Sequence, residues 1–315
     1  MRKLLRIVVL YLVLPGVALA VIGLAWLRTD AARPLHDYFD ARKGEIADVQ
    51  GTVTMDTTGQ LSGLTTITSD SGLSVTFREI RQAEPESPLP VLVVLGGHRT
   101  GSDAVDLFGD VGKRAVVAMD YPYEGAEKVR GFIEILQTVP LARKAFIDTP
   151  PAVSLVLDYL EDANWANQDE IVIVGASLGV PFAALIAARD QRVDGAMLVH
   201  GAADNELWLE TQVARRNDVR FLHRPLATVI HWLAYGPTFD TGANVALISP
   251  RPVIIVGATD DERMPAGQTE ALFAAAGEPK ILRWTEGQHV QPNRGDIIDS
   301  LLAIADQELP LRAAE

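Results

Sequence analysis

The sequence predicts an α/β fold: a mostly parallel central sheet, opened by antiparallel strands and covered by helices on both faces. Three observations carry that reading. Residues 91–95, 115–119, 170–174, 196–199 and 253–256 are unbroken apolar runs rich in Val and Ile, the pattern of strands buried on both faces. Helix-like stretches, notably 151–161 and 180–189, lie between them, and such alternation implies right-handed βαβ crossovers. Ahead of these, residues 51–56, 63–69 and 73–80 alternate apolar and polar side chains, punctuated by Thr58-Gly59 and Asp70-Ser71-Gly72; alternation of period two with turn residues between marks an antiparallel meander. Residues 280–284 read as a last strand, with a C-terminal helix beginning near Pro292. The irregular interval 204–250, with a helix-like piece at 226–235, is expected to form a helical cap above the sheet.

Composition bounds the function. The 315 residues are 48% hydrophobic and 22% charged, enough apolar surface to build a packed core and too much for a disordered chain. There are no cysteines, which excludes disulfides, a thiolate nucleophile, iron–sulfur clusters and cysteine-bound zinc. With 28 basic against 41 acidic residues and a net charge of −13, a general surface would repel phosphate backbones, so nucleic acid is not an expected partner. The chain carries no zinc-type histidine spacing, Walker loop or dinucleotide fingerprint. Neither metal nor organic cofactor is expected.

The N-terminus differs from the rest. Arg2, Lys3 and Arg6 precede 21 uncharged residues, 7–27, about 31 Å of helix and so long enough to span a bilayer. The positive-inside rule puts the basic flank in the cytoplasm and the remainder on the extracytoplasmic, periplasmic side. Residues 1–28 are therefore expected to be a signal anchor, 29–50 a tether or short helix, and 51–315 the globular domain. The alternative is a cleaved signal peptide with its site at Ala18-Leu19-Ala20, giving a secreted protein. Against cleavage, residues 21–27 stay apolar beyond that site and end near Trp26, an interfacial anchor type.

The sharpest local signal is Gly175-Ala176-Ser177-Leu178-Gly179, directly after the 170–174 strand and directly before the 180–189 helix. A strand-to-helix turn this tight strains its central residue and needs glycine on either side, and it lifts the serine hydroxyl above the sheet edge. No lysine follows as a phosphate loop would need. A serine hydroxyl is a weak nucleophile unless a base stands within hydrogen-bond reach and an acid orients that base. Of the six histidines, His289 follows the last strand and is the chosen base; His36, His98, His200, His223 and His231 read first as structural or surface residues. The acid should end a strand between serine and histidine. Asp260 and Asp261, after the 253–256 run, are adjacent choices: Asp261 is preferred, Asp260 is the alternative, and Asp204 is a third that more simply opens the cap. The cap aromatics Trp208, Phe221, Trp232, Tyr235 and Phe239 read first as packing and second as pocket lining.

With the Ser177 elbow, the late Asp260-Asp261-Glu262-Arg263-Met264-Pro265 segment, Gly287-Gln288-His289 and the chain order serine, aspartate, histidine, the sequence resembles the α/β-hydrolase superfamily over roughly residues 73–309. Within it, the chain looks like the esterases grouped around dienelactone hydrolases and serine aminopeptidases. The resemblance implies the α/β-hydrolase fold and an oxyanion hole of two amides. One belongs to the residue after the nucleophile, Leu178. The other comes from the loop Leu95-Gly96-Gly97-His98, where His98 is preferred and Gly97 is the alternative, because Gly96-Gly97 replaces the family's usual His-Gly opening.

The expectation is a membrane-anchored serine hydrolase that cleaves a small-molecule or lipid-like ester or thioester through an acyl-enzyme. Its rivals are a peptidase or lipase on the same fold, and a membrane-tethered binding protein that kept the fold and lost the chemistry.

Overall fold

The computed structural model describes residues 11, 13–57, 59–97, 100–126, 128, 129 and 131–309. Helices α1 (Leu14–Ala31) and α2 (His36–Lys43) precede a nine-stranded sheet. β1 (Ile46–Met55), β2 (Gln60–Ser69) and β3 (Ser74–Gln82) form the expected antiparallel meander. Then come β4 (Leu89–Leu95), β5 (Ala115–Met119), β6 (Ala166–Ala176), β7 (Gly195–Val199), β8 (Val253–Ala258) and β9 (Lys280–Thr285). Their order is β1-β2-β3-β5-β4-β6-β7-β8-β9, with all pairs from β5 to β9 parallel. From β4 the chain first moves to β5 on one side and later to β6 on the other. The order thus reverses between β4 and β6, the crevice in which open α/β sheets place their ligands.

Alternate residues of the central strands supply two cores. Val91, Val93, Leu95, Ile171 and Ile173 face α3 (Phe132–Glu161) and α4 (Gly179–Arg189). Leu92, Val94, Val172, Val174, Met197 and Val199 face the other way, where Ala305 of α9 (Gly295–Glu308) packs. Continuous apolar runs are the sequence image of this two-sided burial. Between β7 and β8 the cap region holds α5 (Asn205–Ala214), α6 (His223–Leu233) and α7 (Thr241–Ala246), and α8 (Gln268–Ala275) lies between β8 and β9.

Two elements refine the sequence reading. Of the two expectations for residues 29–50, the short helix is the one seen, as α2, and it is docked: Leu35, Tyr38 and Phe39 recur at helical spacing, and Leu35 and Phe39 are buried in the main core. Arg42 pairs with the buried Asp148 of α3 at 3.1 Å, and β1 already begins at Ile46. α3 begins 19 residues earlier than the 151–161 stretch suggested, and it runs through Pro140, Pro150 and Pro151. Proline normally ends a helix by removing a donor and crowding the preceding turn. Here the buried stripe Ala152, Val153, Leu155, Val156, Leu157 and Leu160 holds the C-terminal half against the sheet, so packing outweighs local propensity.

Close approach sets the elbow. A Cβ on Gly179 would stand 2.1 Å from the carbonyl oxygen of Leu95, at the end of β4. The helix can therefore cross the strand end only if this position lacks a side chain. Gly179→Ala is expected to cost about 3 kcal/mol or more, read as a drop in Tm of roughly 6 °C or more in a thermal melt.

Candidate active site

Ser177 follows β6 with φ of +54°, the left-handed region that costs a non-glycine residue energy and is kept only where surroundings enforce it. The surroundings are visible. The Ser177 amide donates to the carbonyl of Val199 on β7 at 2.9 Å, and a Cβ on Gly175 would meet Ala183 at 2.6 Å. The hydroxyl is thereby presented at the carboxyl edge of the sheet, beside the crevice between β4 and β6.

The loop after β9 brings His289 to this hydroxyl, with Nε2 at 2.8 Å from Ser177 Oγ. On its other side Nδ1 lies 2.9 and 3.0 Å from the two carboxylate oxygens of Asp261. An Nδ1–H donated to the carboxylate leaves Nε2 free to accept the serine proton, which is the tautomer a general base needs. His289 is fully buried, so water does not compete for either nitrogen. Asp261 is fixed in turn: its Oδ1 accepts the amides of Arg263 at 2.9 Å and Met264 at 3.0 Å. Burial alone would raise the Asp261 carboxyl, but the His289 hydrogen bond and charge and the Arg263 amide hold it below the usual carboxylate range.

The other acid choices are engaged elsewhere. Asp260 is exposed, and its amide donates to Gly287. Asp204 caps α5 by accepting the Leu207 amide at 2.9 Å. Near the serine, Gly97 is close enough that a Cβ there would lie 3.4 Å from Ser177 Cβ and 3.9 Å from its Oγ. The loop is tied down at Gly96, whose carbonyl accepts the half-buried Tyr121 hydroxyl at 2.6 Å, and at Gly97, whose carbonyl accepts the Thr100 amide at 3.1 Å. His98, the preferred second amide, lies outside the described residues. Leu178 is the N-cap of α4, at the helix end where amides lack intrahelical acceptors and the backbone dipole favours negative charge.

Three neighbours were not singled out for the site by sequence. The His289 amide donates to Glu262 Oε2 at 2.9 Å, and Arg294 donates to the His289 carbonyl at 2.7 Å. Together they clamp the loop around the imidazole. Fully buried His200 has its ring centroid 5.5 Å from that of His289. Its Nδ1 accepts the Val290 amide at 2.8 Å, so the proton sits on Nε2, 3.0 Å from Thr285 Oγ1. Its position at a strand end was visible in the sequence, but its contact with the loop 90 residues later was not. Donor atoms of His200, Asp261 and His289 come within 4.8 Å of one another, yet each facing atom is already satisfied by a partner in the chain, which leaves no open set for a metal.

Burial, and then the proximity of His289, lower the His200 pKa to about 4. An unfolded imidazole takes its proton near pH 6.5. The stability contributed by the neutral ring is therefore complete above that pH and is lost as pH falls toward 4, by up to about 3 kcal/mol. Urea midpoints measured from pH 7 to 4 are expected to fall more steeply for the native chain than for His200→Gln. Parallel slopes would remove this role.

One cavity takes in the serine, and a second is lined by its neighbours Gly97 and Leu178. The first, of about 580 Å³, includes Ser177, Gly97, Met197, Val199, Val290 and Leu302 in its wall and runs between the sheet and α9. The other, of about 670 Å³, is lined by Gly97, Leu178, Tyr121, Ala142, Phe146 and Phe182 on the α3–α4 side. None of the five cap aromatics lines either cavity. Tyr235 and Phe239 are buried in the core, as packing residues, while Phe221 is exposed.

A family model described as serine hydrolase matches residues 141–295, which include Ser177, Asp261 and His289. No curated protein matches the chain. Among solved structures it is similar to an acetyl xylan esterase from Paenibacillus sp. R4, with TM-score 0.63 and 15% identity over 86% of this chain and 92% of that one. It is also similar to acetyl xylan esterase 1 from Thermoanaerobacterium sp. JW/SL YS485, with TM-score 0.62 and 17% identity over 88% and 93%. A cold-adapted esterase from an Arctic intertidal metagenomic library gives TM-score 0.56 and 17% identity over 83% and 99%. At these identities the likeness speaks for the fold.

Proposed function

We propose that the chain, which has the α/β-hydrolase fold and matches a serine hydrolase family model over residues 141–295, is a membrane-anchored esterase that cleaves an ester or thioester through an acyl-enzyme on Ser177. The observation that carries this is the unbroken hydrogen-bonded chain from Ser177 Oγ through His289 to Asp261. Ser177 attacks the acyl carbonyl as His289 Nε2 takes its proton, and Asp261 stabilises the imidazolium. The negative oxygen is held by the Leu178 amide and by a second amide from the Gly97–His98 loop; losing one such donor typically costs about 10²–10³ in rate. His289 then delivers its proton to the leaving alcohol or thiol. Water, deprotonated by the same imidazole, attacks the acyl-enzyme and regenerates the free serine.

The esterase neighbours support acyl esters as the substrate class, and the two cavities beside Ser177 have room for groups larger than acetyl. Helix α1 is long and apolar enough to cross a membrane, and Leu27 and Ala31, near its C-terminal end, are its buried residues. Read with the basic residues 2, 3 and 6, which lie outside the described residues, it anchors the chain with its hydrolase domain on the extracytoplasmic side. A fluorophosphonate probe, which reacts only with an activated serine, is expected to label the native chain at Ser177. Absence of labelling would favour the non-catalytic binding protein instead.

A further inference from the structure

From the way α1 is fastened to the domain, we infer that the face formed by α6 and the N-terminal half of α3 lies against the lipid bilayer, so that the active site takes its ester from the membrane. The inference rests on the anchored reading of α1 and goes beyond it, because an anchor on a flexible tether would leave the face of the domain unspecified.

No such freedom exists here. Only four residues separate the end of α1 from α2, and Leu27 and Ala31 of α1 are buried. Asp30 forms an ion pair with Arg143 of α3. Arg33 and Arg143 both lie over the ring of Tyr235, at 5.5 and 4.5 Å, and α1 packs along α6. The membrane helix thus leaves the domain from its cap, beyond the carboxyl edge of the sheet where Ser177 stands.

What surrounds that exit is suited to an interface. None of residues 133–144 of α3 is buried, and Ile133, Ile135 and Leu136 are 71, 49 and 56% exposed. Leu136 lies two helical turns before Arg143 on the same side of α3. On the cap, Phe221 is 79% exposed, and Leu226 and Ile230 of α6 are exposed beside it. In a chain of net charge −13, residues 215–224 hold four arginines, Arg215, Arg216, Arg220 and Arg224, against the single acid Asp218. Exposed aromatic and aliphatic residues interleaved with arginine are the signature of a segment seated in the headgroup region, its cations reaching lipid phosphates. Both cavities beside Ser177 reach this face: Arg216 lines one, and Lys128 and Val129, just before α3, line the other. An ester dissolved in the bilayer would enter without crossing water.

The absence of cysteine makes the test clean. Single cysteines replacing Ile22, Leu136, Phe221, Val53 and Leu247 in the full-length chain, spin-labelled and reconstituted in vesicles of phosphatidylcholine and phosphatidylglycerol, report contact with oxygen in lipid or a nickel chelate in water. Labels at 22, 136 and 221 are expected to favour oxygen, and those at 53 and 247 the chelate. Label 22 in lipid with 136 and 221 facing water overturns the inference and spares the anchor; label 22 in water overturns both. Shielding of 136 and 221 from both quenchers means that a protein covers the face, and this too overturns it. In parallel, Leu136→Asp combined with Phe221→Asp is expected to lower hydrolysis of a vesicle-dissolved ester about tenfold or more while a soluble p-nitrophenyl ester is turned over unchanged. Equal loss on both substrates would overturn the inference.

Discussion

Ser177→Ala is expected to lower kcat/KM for a p-nitrophenyl ester by at least about 10⁴-fold, leaving the residual rate that oxyanion binding and positioning supply alone. The fold should survive, because alanine keeps the Cβ that already tolerates φ of +54° at this position and loses only the hydroxyl bonded to His289. Tm is expected to stay within roughly 2 °C of the native value. His289→Ala should be nearly as severe, and the double variant little worse, since a nucleophile without its base and a base without its nucleophile fail at the same step. Steady-state kinetics with fluorophosphonate labelling checks all three; turnover surviving Ser177→Ala would remove the nucleophile.

Asp261→Asn should cost about 10⁴ in kcat. Asp261 accepts from His289 Nδ1 and from two backbone amides. An amide side chain can keep the backbone contacts, but its NH₂ turned toward Nδ1 favours the tautomer with the proton on Nε2, which cannot receive the serine proton. Asp260→Asn is the control: that side chain is exposed and its residue meets Gly287 through the backbone, so turnover should change less than about threefold. Comparable losses in both variants would mean that the acid has been misassigned.

Much of this site could be read along the chain because its constraints are local. The strained elbow needs Gly175 and Gly179 beside Ser177, and each glycine answers to an atom that a side chain would strike. The parallel strands declare themselves because both their faces are buried. Local reading failed where local and tertiary terms oppose each other. Three prolines argue against one helix from 132 to 161, and only the apolar stripe pressed on the sheet overrules them. Polar composition made 29–50 look like a tether or short helix; the helix is there, but its docking through the core residues Leu35 and Phe39 was not visible.

By itself the sequence determined the α/β class, the elbow, the order of serine, acid and histidine, and an apolar N-terminal helix, since each is written in neighbouring residues or simple periodicity. Tertiary structure alone decided between Asp260 and Asp261 as the partner of His289, brought His200, Glu262 and Arg294 around its loop, and fastened α1 to the cap. Those outcomes depend on which side chains meet across strands and loops far apart in the chain, and no spacing along the chain encodes that meeting.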